Sequence, residues 1–525
     1  MTRLHHRHRV DVATAADWLR PRDDVVIESA VRSSPDAAEF EATTGPFHEW
    51  RRSVRLERGD VATLVDESIE YRLAVPVWGP LFRLALSRHL RRAPSTRGRP
   101  PWWAPPDALD ARAATVLSLL CVFAAISGYL GTIITQTLTY AAGQFGSSTA
   151  QQGTLLAAVR IGVLLSLLVV AIADRRGRRR VLVVAAIGAC ALTALGALAP
   201  GLVWLGAAQT VSRALSTVIA LLVVIIAAEE MPAGSRAFAV SVITMTGALG
   251  AGLCVANLLY VDVAPGAWRI AYVLPLLAIP VCVRLGARLP ETRRFESRRL
   301  TAPTSPNTTT PRPGEPHPAH RGFDWRRFVM LSVGGFLWSF FLAPAAQFLN
   351  EFLRTERAFS GALIAVFVLA TNTPGGIGIV LGGRMADRRG RRIVGAIGIA
   401  GGVVFTVASY LSSGWSLWTF SVLAAVIGAL AVPALAVYGP ELFPTGRRGT
   451  ANGGLQVVSV AGSSAGLLLV GWLSDRLGGI GQAMAVAAVA PAVLVLVVLV
   501  WFPETAQREL EDLNPFDRPL DATPD

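Results

Sequence analysis

Ala173-Asp174-Arg175-Arg176-Gly177-Arg178-Arg179 returns, 213 residues later, as Ala386-Asp387-Arg388-Arg389-Gly390-Arg391-Arg392. Two further stretches keep almost the same spacing. Glu229-Glu230-Met231-Pro232 with Arg236 returns 212 residues on as Glu441-Leu442-Phe443-Pro444 with Arg448. Leu289-Pro290-Glu291-Thr292 returns 213 residues on as Phe502-Pro503-Glu504-Thr505. Three matched motifs at near-constant spacing mean two homologous halves.

Outward from these motifs the chain is apolar. Only 16% of its 525 residues are charged and the mean hydropathy is +0.47, too few charges for the surface of a soluble protein of this size. Crossing a bilayer takes about 20 apolar residues. Twelve such stretches are read: 113–138, 150–172, 181–200, 203–227, 237–261, 268–288, 327–349, 359–382, 393–411, 415–438, 450–473 and 480–502. The expected fold is an all-α membrane protein, with twelve transmembrane helices in two six-helix pseudo-repeat bundles and an N-terminal cytoplasmic extension. The expected units are the extension 1–110, a first bundle 111–290, a Pro/Thr/Arg-rich linker 291–325, a second bundle 326–503 and a tail 504–525.

Charge tests this count. Loops after even-numbered spans carry the Arg clusters, and loops after odd-numbered spans are bare apart from Arg269, Arg354, Arg357 and Arg476. The positive-inside bias then puts every second loop and both termini in the cytoplasm, in a multi-pass protein of the cell membrane. The net charge of +13 lies in these short clusters, all of it Arg. Nucleic acid is excluded as a partner, because the clusters form neither a groove nor an aromatic platform. Cys121, Cys190, Cys254 and Cys282 lie inside apolar runs and read as small hydrophobes. No cofactor and no metal site is expected. The run His5-His6-Arg7-His8 has residues able to bind a metal, but the preferred reading is a solvated tail. No signal peptide is read, since the first insertable stretch starts about a hundred residues in.

The extension is polar and mixed in charge. Val61 to Leu73 partly alternates, as a strand does, and Val75 to Arg92 forms an amphipathic helix. That helix suits either an anionic membrane surface or the flank of a small soluble domain. Trp102 and Trp103, among prolines at 100–106, read as an interfacial anchor.

The stretch Gly383-Arg384-Met385-Ala386-Asp387-Arg388-Arg389-Gly390-Arg391-Arg392 matches the hallmark loop of the major facilitator superfamily. The first copy has Val170 in place of the leading glycine. Pro440-Glu441-Leu442-Phe443-Pro444-Thr445 with Arg448, Trp268-Arg269, and the two Pro-Glu-Thr stretches resemble the sugar-porter and organic-solute branch. The resemblance covers about residues 113–512. It implies alternating access and a cytoplasmic gate built from Asp174, Arg178, Glu229, Arg236 and Glu291 in one half, and Asp387, Arg391, Glu441, Arg448 and Glu504 in the other. Topology alone explains the arginines but not acids paired with them at matched positions.

Ionisable groups deep in a membrane are costly and usually functional. Arg160 and Arg213 are the deep ones, and no Asp or Glu accompanies them. Arg213 resembles the arginine usual in the family's fourth span, although by spacing to Glu229 that place falls to Gln209. The acid that carries a proton in proton-coupled sugar porters is replaced by Leu130, after Gly128-Tyr129. Two cations without a deep acid point to a small organic solute that is anionic or amphipathic. Tyr129, Gln136, Gln209, Thr244, Asn257, Gln347, Asn372 and Gln456 are further candidates for lining the cavity. Gly247, Gly250 and Gly252 read as close helix packing.

The expected function is a secondary active or facilitative transporter of that solute. A hydrophobic-compound efflux pump and a transport-incompetent sensor or scaffold are the alternatives, and a co-transported proton stays open. No nucleotide loop, GxSxG or HExxH stretch points to an enzyme.

Overall fold

A computed structural model describes residues 2–292 and 324–504, apart from 60–61, 93, 95–100, 102, 106, 233–234, 437, 439–441 and 444–447. Most of the expected linker, the tail from residue 505, Trp102 and Glu441 lie outside the described residues.

The extension is a folded two-layer unit. Five antiparallel strands, β1 (Thr2–Val10), β2 (Ile27–Ser33), β3 (Ala37–Thr44), β4 (Phe47–Arg58) and β5 (Thr63–Leu73), stand in the order β1-β5-β4-β3-β2. Side chains alternate across a strand. Trp50, Arg52, Val54 and Leu56 of β4 therefore share one buried face with Val65, Glu67, Ile69 and Tyr71 of β5. Helices α1 (Val12–Trp18) and α2 (Gly79–Leu90) cover that face.

Two expectations change here. The His5–His8 run is not a tail but part of β1, paired residue for residue with β5. The amphipathic helix packs on the soluble unit, as the second of its two readings had it. Leu86 and Leu90 are fully buried, at about 1.5–3 kcal/mol each. Trp103, read as an interfacial anchor, packs edge-on against Phe82 and His89. The unit is fastened to span 1, where the Trp78 indole N–H donates to the Ser118 carbonyl (3.1 Å) and the Thr115 hydroxyl to the Ala74 carbonyl (2.9 Å).

Beyond it, among the described residues, twelve helices are long and apolar enough to cross a membrane. Spans 1–6 are Ala111–Phe145, Thr149–Val170, Arg178–Leu198, Leu202–Glu230, Phe238–Leu259 and Trp268–Arg288. Spans 7–12 are Trp325–Gln347, Gly361–Ile379, Arg391–Leu411, Gly414–Leu435, Ala451–Leu477 and Ile480–Trp501. The chain is thus a multi-pass membrane protein, mostly helical, with a small sheet unit added.

The halves are built alike. Without a hydrophobic force between helices in lipid, small residues and close backbone approach decide packing. A Cβ on Gly128 would strike the Gly247 carbonyl, and one on Gly250 would strike that of Ala125, so spans 1 and 5 cross in close contact. In the second half Gly462 and Gly466 of span 11 stand in the same relation to the Phe336 and Phe340 carbonyls of span 7.

Candidate transport site and its two ends

At the Arg-rich end, spans 3 and 9 begin directly after Gly177 and Gly390, with φ of 95° and 97°. This left-handed backbone favours glycine. It turns the first N–H groups of each helix toward a carboxylate. Glu291 Oε1 accepts the backbone N–H of Arg178 (3.1 Å) and Arg179 (3.2 Å). Glu504 accepts those of Arg391 (2.9 Å) and Arg392 (3.3 Å). An anion here meets unsatisfied N–H groups and the positive end of the helix dipole. The last arginine of each motif returns the favour. Arg179 Nε donates to the Gly286 carbonyl at 3.0 Å, and Arg392 donates to that of Leu499, so each caps the end of its half's last span.

Arg178 also pairs with Glu229, and Arg112 with Glu230 at 3.1 Å. The structure therefore brings Arg178, Glu229 and Glu291 together, and separately Arg391 and Glu504. The backbones of Asp174, Arg236, Asp387 and Arg448 lie at helix ends, but their side chains are outside what is described. The sequence-based reading has these clasps shut one mouth. In this conformation those described fasten helices within one half.

The halves meet at the opposite end. Thr135 donates to Gln347 Oε1 (2.6 Å), Asn350 Nδ2 to Gln136 Oε1 (2.9 Å), Ala150 N to Asp475 (3.1 Å) and Ser464 Oγ to the Ala157 carbonyl (3.3 Å). Gly153 of span 2 lies against Leu467 and Gly471 of span 11. Arg354 pairs with Asp262 at 2.7 Å, and Asp262 also accepts the Gly361 N–H. Burial opposes the Asp262 charge, but these two partners outweigh it and hold the carboxyl below its usual range. Glu351 is buried against Thr139 and Gln152 of the other half. There desolvation dominates and raises its carboxyl above the ordinary value. The arginines that break the charge asymmetry are all engaged here. Arg269 donates to the Ala197 carbonyl, Arg357 to that of Ser412, and Arg476 lies over the Trp472 ring.

The two deep arginines sit just inside this closed zone. Arg160 follows Ala157, which accepts from Ser464, by three residues on the same helix face. Arg213 Nη1 lies 3.0 Å from where a Cβ on Gly131 would stand, one turn before Thr135. Neither has a carboxylate partner among the described residues. Gln209, one turn before Arg213, is buried, and its Nε2 has no hydrogen-bond partner among the described residues.

The remaining candidates sort differently. Gln136 and Gln347 belong to the contact between halves. Tyr129 and Asn257 are bonded to each other (2.9 Å), and Tyr129 also donates to the Ala271 carbonyl, so they tie helices together. Thr244 and Asn372 bond their own helices. Gln456 lines a cavity of about 500 Å³ with Trp338 and Asn452 in the second half. Sequence reasoning missed Arg112 and the helix-capping pair Asp110 and Asp324. Their near-matched spacing, 324 against 110, was the available signal.

The profile described as Major Facilitator Superfamily matches residues 117–370 and 328–521. The cis,cis-muconate transport protein of Acinetobacter baylyi is 25% identical over 226 residues, 42% of this chain. The match spans 54% of that relative, so the chain covers about half its length. Among solved structures, a bacterial homolog of the human lysosomal transporter Spinster, inward-facing and unoccupied, superposes with a TM-score of 0.60 at 16% identity, over 74% of this chain and 96% of that one. The xylose transporter XylE from E. coli, inward open, gives 0.59 at 17% identity, over 77% and 99%. Twelve apolar helices in two matching halves, the doubled Arg-rich loop and these similarities lead to one assignment: the chain belongs to the Major Facilitator Superfamily, a family of membrane transporters rather than enzymes.

Proposed function

We propose that this transporter carries a small organic anion across the cytoplasmic membrane by alternating access, and that Arg160 and Arg213 grip its carboxylate groups. The observation that carries the reading is the pair of guanidiniums at the inner edge of the closed zone, with no described carboxylate to neutralise them. A buried cation without a partner is costly, and a carboxylate solute supplies the missing charge. The solute named for the muconate relative is a dicarboxylate, which matches two arginines in kind.

The positive-inside bias supports an orientation with the Arg-rich loops and both termini in the cytoplasm. In that orientation this conformation opens inward, and the gate network of Asp174, Arg178, Glu229, Arg236 and Glu291 with Asp387, Arg391, Glu441, Arg448 and Glu504 closes the inner mouth in the other state. Asp387→Asn and Glu441→Gln then lower flux without loss of insertion.

Purified protein in liposomes, offered cis,cis-muconate and neutral xylose as probes, tests the substrate class. Muconate flux that falls at least about tenfold in Arg160→Gln and Arg213→Gln is expected, a loss of about 1.4 kcal/mol or more. Flux of xylose without the anion, or unaltered anion flux in both variants, ends the reading. Repeating the flux with a pH gradient decides whether a proton is co-transported.

A further inference from the structure

The sheet unit outside the membrane holds a second cluster of chemistry. His6 and His8 are two residues apart on β1, so both face the covered side of the sheet, and Glu67 lies directly across from His6 on β5. His6 Nδ1, His8 Nε2 and Glu67 Oε2 all lie within 4.8 Å of one another, and the His6–Glu67 pair is 3.8 Å apart. All three atoms are buried and none has a hydrogen-bond partner among the described residues. An orphaned buried polar atom costs about 1–3 kcal/mol. Three of them converging on one point call for a common ligand.

Their surroundings orient them. Glu67 Oε1 accepts from Arg52 Nε at 2.6 Å, which leaves Oε2 turned to the histidines. The His8 ring stacks on Trp18, with centroids 4.5 Å apart. Arg22 and Arg52 are buried nearby, but Asp24, Glu28 and Glu67 face them, three carboxylates against two guanidiniums. Asp24 is also bonded to His89 at 2.8 Å, so Glu67 Oε2 is the carboxylate oxygen left facing the histidines.

We propose that His6, His8 and Glu67 bind one divalent transition-metal ion, with Zn²⁺ the best match. Two imidazoles and one carboxylate are a recurrent ligand set for such ions, and the remaining coordination positions go to water. Zinc–ligand bonds of about 2.0–2.2 Å need ligand atoms somewhat closer than those found, a change that side-chain rotation supplies. The ion fastens the edge strand β1 to β5.

The test uses tag-free full-length protein in detergent, stripped with a chelator and titrated with Zn²⁺ by calorimetry and with Co²⁺ by visible absorption. One equivalent per chain is expected, with a rise in melting temperature. His6→Gln, and His8→Phe, which keeps the stack on Trp18, each weaken binding at least about tenfold and remove the cobalt bands. His5→Ala is the control, because His5 is on the outer face beside Asp66 and changes nothing. If either ligand variant fails to fold, the other decides. Failure of the wild type to bind, unchanged binding in the folded ligand variants, or equal loss in His5→Ala overturns the proposal.

Discussion

Glu504 closes over Gly390. Its carboxylate accepts the Arg391 N–H at 2.9 Å, and a Cβ on Gly390 would come within 2.6 Å of Glu504 Oε2. The glycine is required twice, by its φ of 97° and by the space that the acid occupies. The Pro-Glu-Thr acid at the end of one half thus depends on the Arg-rich loop near its middle, 114 positions apart by their numbers.

Gly390→Ala removes both conditions. Left-handed backbone alone costs a residue with a side chain roughly 1–2 kcal/mol, and the displaced carboxylate adds the loss of a helix-terminal anion. Glu504→Gln keeps the space but weakens the charge interaction, by about 0.3–1 kcal/mol. A lower melting temperature in detergent is expected for both, larger for the alanine variant. Equal melting of Gly390→Ala and wild type would show that the turn is unstrained.

Glycines at helix crossings divide by what they face. Gly466→Ala drives a methyl into the Phe340 carbonyl and separates spans 7 and 11, whereas no atom of the described residues stands within 4 Å of a Cβ on Gly143. The first variant loses folded yield and flux, and Gly143→Ala matches the wild type. Size-exclusion profiles and flux compare them directly, and a well-behaved Gly466→Ala would contradict the close crossing.

Arg354 and Asp262 hold the closed end from opposite halves. The pair is partly exposed, so it is worth roughly 0.2–1 kcal/mol, a shift of no more than about fivefold between conformations. Arg354→Gln raises labelling of a Ser464→Cys reporter, buried at the contact with Ala157, by a reagent that cannot cross the membrane. Unchanged labelling would remove the pair from the closing interaction.

Glu351 makes that closure sensitive to pH. Burial raises its carboxyl while the halves are closed, with Thr139 and Gln152 facing it, Arg354 opposing the shift and Glu356 adding to it. Opening returns it toward the ordinary carboxylate value. The closed form therefore binds the proton more tightly. Closure is fully supported below the ordinary carboxylate range and weakens as pH rises through the raised value. The same cysteine reporter reads this as labelling that increases with pH, and Glu351→Gln flattens the profile. An equally steep profile in Glu351→Gln assigns the dependence to another group.

The sequence by itself determined the membrane class, the twelve spans and the two halves, because hydropathy over twenty residues and a repeat at a fixed offset are local or purely linear signals. It also singled out Arg178, Glu229, Glu291, Arg391 and Glu504, since acids and arginines at matched positions need no fold to be seen. Only the tertiary structure decided their partners. Glu291 holds backbone N–H groups rather than a guanidinium, and Gln136 and Gln347 join the halves rather than wait in an open cavity. It also decided that His6 and His8 face Glu67, which a charged tail conceals until strand alternation and register are set. Which residues meet depends on turns, on close backbone approach and on how the two halves pack. These are long-range properties, and linear spacing does not encode them.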